Sequence, residues 1–237
     1  MSIRDRLARL RRATERAFDD EEEDLTNGEI GTPLFVLALP IVVTNLFQTA
    51  YNLADTFWVG RYSTEALAAI SFAFPMVFLL ISLGLGLSVA GSVMVAQSIG
   101  AGEEREAEYA ASQTVAFSVI ASIVLGGIGY VFVSDLLTIF GAAPDVYPLA
   151  VAYMEVIAAG LVFMFGFFMF ISLMRGYGDT VTPMVVMGFS VLVNIVLDPF
   201  LIFGFEGNPL FTMAGLESLQ NQLFAMTGYT GDGLRGA

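Results

Sequence analysis

The chain has 237 residues, of which 56% are hydrophobic and only 14% charged, and its mean hydropathy of +0.74 excludes an ordinary soluble domain. It contains no cysteine and no histidine, which removes disulfides, thiol nucleophiles, imidazole bases and the usual zinc, haem and iron–sulfur ligand sets. Twenty-three acids against ten bases leave a net charge of −13, which argues against nucleic acid as a partner.

All ten bases are arginine. A lysine-free, acid-rich chain fits an archaeal halophile, in which solvated carboxylates keep protein dissolved; GC-rich codon usage also exchanges Lys for Arg.

Residues 1–29 form a polar tail. Ile3, Leu7, Leu10 and Ala17 recur at helical spacing among six arginines, and the acidic run Asp19 to Asp24 follows. This is a basic amphipathic stretch for anionic lipid or a solvated tail, and not a secretory signal. Long apolar runs come next, and a membrane span needs about 20 such residues. The pattern predicts five spanning helices over residues 30–204: 33–59, 66–98, 109–134, 148–174 and 182–204. The second lies in a charge-free run from Ala66 to Gly102, read as one long tilted helix, bent at Pro75 and loosened by Gly84, Gly86 and Gly91. Residues 205–237 are expected to be an extracellular loop. With the N-terminus cytoplasmic, the inside holds the six tail arginines with Arg105 and Arg175, and the outside holds Arg61 and Arg235, as the positive-inside rule prefers.

Polar residues inside these runs carry the chemistry. In the first helix Thr44, Gln48, Tyr51 and Asp55 are spaced by four, three and four, so they share a face, with Asn45 and Asn52 beside it. In the fifth, Asn194 and Asp198 stack one turn apart, and Pro199 deprives the Ile195 carbonyl of its usual partner. Two acids on separate spans with almost no intramembrane base require Na⁺ or protons, with Asp55, Asn194 and Asp198 as an oxygen-rich ligand set. Tyr153 and Glu155, on the fourth helix, fall on different faces. Gln48, Asn45 and Asn52 read either as interhelical glue or as the polar wall of a substrate cavity. Phe163, Phe167 and Met169, with Phe47 and Phe168, are candidates for its apolar wall. A metal-dependent membrane enzyme has little to work with here, because the chain has no DDxxD cluster and no histidine.

Four stretches together resemble the N-terminal lobe of the multidrug and toxic compound extrusion (MATE) transporters, in their DinF-like prokaryotic and archaeal branch. They are "LALPIVVTNLFQTAYNLADTFWVGRYSTEALAAISFAFP", "VAQSIGAGEEREAE", "LMRGYGDTVTPM" and "NIVLDPFLIFG", within Gly31 to Gly204. The resemblance implies an all-α integral membrane fold, of which this chain supplies most of a six-helix lobe. It implies multidrug efflux across the plasma membrane by Na⁺- or H⁺-coupled antiport, with amphipathic organic cations as substrates and no cofactor beyond the coupling ion. It also implies that Tyr51, Asp55, Tyr153, Asn194 and Asp198 are linked to the cation. The family's sixth helix and second lobe are not found in these 237 residues. A fragment or split-gene product is therefore expected, with a C-terminal lobe on the same or a separate chain as its partner. The alternatives are a lipid-linked oligosaccharide flippase of the same superfamily and an assembly-only fragment that is inactive without a second chain.

Overall fold

The computed structural model describes residues 31–236, so the polar tail and its amphipathic reading lie outside the described residues. Five long helices run antiparallel: α1 (Gly31–Tyr62), α2 (Thr64–Gly100), α3 (Glu104–Ile139), α4 (Tyr147–Gly176) and α5 (Val181–Phe203). Helices α2 to α5 are each long and apolar enough to cross a membrane, and α1, at 32 residues, matches them in length. The helices extend one to five residues beyond the expected spans at every end but the last, where α5 stops one residue short, because the polar turn residues are taken into helical first and last turns. At 1.5 Å per residue the 37 residues of α2 reach about 55 Å, well beyond a hydrocarbon core of about 30 Å.

Local chemistry fixes the helix starts. Extended Ser63 caps α2, its hydroxyl accepting the Ala66 amide at 2.9 Å. Asp179 accepts the amides of Val181 and Thr182 at 3.0 and 2.8 Å, which satisfies two of the free donors at the head of α5. Helices α1 and α5 nevertheless run through Pro40 and Pro199, and the Thr44 hydroxyl donates to the Pro40 carbonyl at 2.7 Å.

Packing divides the bundle. Helices α2, α3 and α4 form one closely packed group, and α1 lies chiefly along α5. Small residues line the tight group: the Ser172 hydroxyl donates to that of Ser88 at 3.1 Å, and a Cβ on Gly91 would overlap Thr114. Gly84 and Gly91 are thus contact points at which neighbouring helices seat, rather than positions that loosen α2; only Gly86 stands clear. Gly126 on α3 is tighter still, because its Cβ would fall on the backbone carbonyl of Ala158 on α4. Gly126→Ala is expected to cost about 1–3 kcal/mol by overpacking. The neighbouring Gly127→Ala, with open space around it, should stabilise the helix by about 0.5–1 kcal/mol. Thermal midpoints in detergent that move the same way in both variants would refute this account of the α3–α4 contact.

Residues 205–236, expected as an extracellular loop of turn residues with a mildly amphipathic middle, "LESLQNQLFAM", are ordered, and that middle coincides with a helix. They form α6 (Pro209–Ala214), α7 (Glu217–Thr227) and a 3₁₀ turn, Gly233–Gly236, that folds back onto the bundle. Asn208 is fully buried; its amide donates to the carbonyls of Pro199 and Gly204 at 2.8 and 2.7 Å, and its oxygen caps α6 by accepting the Leu210 amide at 3.0 Å.

Candidate functional site

The antiparallel topology sets the depth of the site. Helices α1 and α5 end where α4 begins, and Asp55 lies seven residues before Tyr62, Tyr153 six after Tyr147, and Asp198 five before Phe203. All three therefore sit about 8–11 Å inside the same end of the bundle. The carboxyls of Asp55 and Asp198 are close enough to act on each other, the Tyr51 hydroxyl lies near both, and the Tyr153 hydroxyl lies near Asp55 and Tyr51. Asp198 is only 4% exposed. The Asn194 amide donates to Asp198 Oδ1 at 2.7 Å, which fixes the carboxylate and turns the amide oxygen the other way.

Three buried oxygens then have no hydrogen-bond partner among the described residues: Asp55 Oδ1, Asn194 Oδ1 and Asp198 Oδ2. Unpaired buried acceptors are costly, and a cluster of them with two negative charges is matched by a hard cation or by protons. A cleft of about 390 Å³ opens on the group, with Tyr51, Asn194, Asp198 and Gly236 in its wall. All five residues that the family resemblance linked to the cation thus converge. Helix periodicity alone placed Asn194 with Asp198 and Tyr51 with Asp55, but it had no means of bringing the two pairs together.

The candidates for the apolar substrate wall do not converge. Met169 is 2% exposed and is packed with Val95, Ala107, Ala110 and Leu173, because it falls on the stripe of α4 that faces α2 and α3. Phe163 is 80% exposed on the outside of α4, and Phe167 is half-buried; neither lines the cleft. Phe168 packs on Gly84, and Phe47 on Gly188 between α1 and α5. Asn45, Gln48 and Asn52 are exposed on α1 beside the acid-bearing face, and Gln48 donates to Asn52 at 3.3 Å.

Sequence reading passed over Asn208 and the 3₁₀ turn. A signal for the first was present, since an Asn followed by Pro is a helix-start pattern, Ncap then N1. Nothing local in "GDGLRG" announces that it returns to the acid pocket.

The MatE family model matches residues 40–200. The chain is 33% identical over 172 residues to a probable multidrug resistance protein of Bacillus subtilis, covering 72% of this chain and 37% of that one. It is 29% identical over 195 residues to an FAD transporter of Shewanella oneidensis, covering 82% and 43%. Among solved structures it is similar to a multidrug resistance MATE family transporter of the MOP superfamily in an outward-facing conformation, with a TM-score of 0.69 at 28% identity over 80% of this chain and 42% of that one. A MOP superfamily transporter from Pyrococcus furiosus matches with the same TM-score and identity. The chain therefore spans about four tenths of the length of these proteins.

Proposed function

Because the chain belongs to the MATE family of membrane transporters, we propose that it forms the cation-binding lobe of a Na⁺- or H⁺-coupled exporter of amphipathic organic compounds. The observation that carries this reading is the set of three unpartnered buried oxygens, on Asp55 of α1 and on Asn194 and Asp198 of α5. With the site open outward, Na⁺ or protons neutralise Asp55 and Asp198 and draw α1 toward α5. With the site empty the two carboxylates repel and the helices part. Each positive charge moving inward releases about 2.3 kcal/mol per 100 mV, enough to bias a two-state rearrangement severalfold or more. The lobe sits in the plasma membrane with its N-terminus cytoplasmic, as the arginine distribution favours.

The edge of α1 beside the acid-bearing face supports a solute path. Asn45, Thr49, Asn52 and Thr56, spaced by four, three and four, are all exposed, and the threonine hydroxyls are spent on the carbonyls of Asn45 and Asn52. The two amides of this ladder suit water and solute and would be costly against acyl chains. A flippase for lipid-linked pyrophosphate is disfavoured, because the five long helices carry arginine only next to their ends, at Arg61, Arg105 and Arg175. The deciding experiment is efflux of a fluorescent organic cation from proteoliposomes under imposed Na⁺ or pH gradients, with the chain alone and with a second lobe supplied. Gradient-dependent efflux is expected only with both lobes, since alternating access needs two bodies. Efflux indifferent to both gradients would end the cation-coupled reading.

A further inference from the structure

The segment Tyr229–Gly236 returns to the bundle and is held there by apolar and backbone contacts. Leu234 is 3% exposed in a core cluster with Trp58, Val59 and Ile202. The Asp232 amide donates to the Leu201 carbonyl at 2.7 Å, and the Phe205 amide to that of Tyr229 at 2.9 Å. Gly204 and Gly231 cross so closely that a Cβ on either would overlap the other strand, and both have positive φ, at 63° and 80°. This crossing needs glycine on both sides. The segment ends on Gly236, which forms part of the wall of the acid pocket with Asp198 and Asn194. The preceding residue, Arg235, reaches Glu155 on α4 at 3.3 Å, the one salt bridge among the described residues.

That ion pair is half exposed, so it contributes little to holding the segment; Leu234 and the backbone bonds do so. Taking the acid pair as the cation site, on which this rests, we infer that Tyr229–Gly236 is a strap at the mouth of the pocket and that Arg235, tethered by Glu155, sets how readily a cation enters. A guanidinium beside the entrance repels the incoming cation, and Glu155 holds it aside and cancels its charge. A unit charge on the order of 10 Å away, at an effective dielectric of about 20 to 80, alters affinity by about 2- to 15-fold.

The two partners must then act with opposite sign. Arg235→Gln removes the repelling charge and leaves Glu155 to attract, so the cation binds about 2- to 15-fold more tightly. Glu155→Gln leaves Arg235 uncompensated, and binding weakens by a similar factor. Arg235→Lys keeps the charge and should stay within about twofold of the native protein. The full chain in lipid vesicles is titrated with Na⁺ at fixed pH, and with acid in the absence of Na⁺. Binding is read on Trp58, the only tryptophan of the chain and three residues past Asp55, and for Na⁺ also by equilibrium dialysis. A native protein that answers neither titration overturns the cation site itself. A native protein that binds, with Arg235→Gln and Glu155→Gln displaced in the same direction or not at all, leaves that site standing and makes the pair a mere clamp.

Discussion

Asp198→Asn in the complete transporter is expected to abolish ion-driven export while leaving the protein in the membrane. The substitution keeps the size of the side chain and an oxygen for the Asn194 amide, which now donates to Asp198 Oδ1 at 2.7 Å. It removes one of the two acids of the proposed cation site. If one charge fewer moves per cycle, about 2.3 kcal/mol of coupling is lost at 100 mV, equivalent to about 50-fold in the solute gradient the transporter can hold. Insertion should not suffer, since a carboxylate in the bilayer costs about 2.5–3.5 kcal/mol on translocon scales and the amide costs less. Asp55→Asn should behave alike, and, if the two neighbouring carboxyls serve one cation as proposed, the double variant should lose little more than either single one. The check is efflux from proteoliposomes under a fixed gradient, normalised to inserted protein. Undiminished export by Asp198→Asn would sink the proposed coupling.

Asn208→Ala is expected to produce the largest loss of stability. One side chain makes three buried bonds, and its removal strands the carbonyls of Pro199 and Gly204 and the amide of Leu210. Unsatisfied buried groups cost about 1–3 kcal/mol each. The two carbonyls lie in the last turn and at the end of α5, where other partners are partly available, so a total of about 3 kcal/mol is expected. For a chain of this size that lowers the thermal midpoint by about 6–12 °C. Asn208→Asp should be at least as damaging: it retains the acceptor that caps α6 but sets a carboxylate against two carbonyl oxygens. The loss should reach function as well, because Asn208 ties the segment after α5 to the turn that bears Pro199, next to Asp198. A native midpoint in the Ala variant, measured in detergent, would show that the bonds contribute nothing net.

The fold class and the five long helices were legible in the sequence, because apolar runs of spanning length with charged punctuation admit few other arrangements. The pairs Asn194–Asp198 and Tyr51–Asp55 were legible as well, since helical periodicity is a local rule that puts residues three or four apart on one face. What lay beyond local rules was decided by the tertiary structure. Met169 and Phe163 are both apolar residues of α4, and which one turns inward depends on which stripe meets α2 and α3, a property of the partners rather than of α4. Gly84 and Gly91 look like weak points in an isolated helix and become contact points only once Phe165 and Thr114 arrive from other helices. The segment 205–236 has the composition of a loop; Asn208 and Leu234 bind it to carbonyls and apolar side chains tens of residues away in sequence. The sequence by itself determined which residues carry charge and hydrogen-bonding capacity into the membrane, because hydrophobicity and periodicity act at short range. Only the packed bundle decided that Asp55 on α1 meets Asp198 on α5 and that Gly236 helps to wall the cleft beside Asp198, because those meetings depend on how whole helices pair.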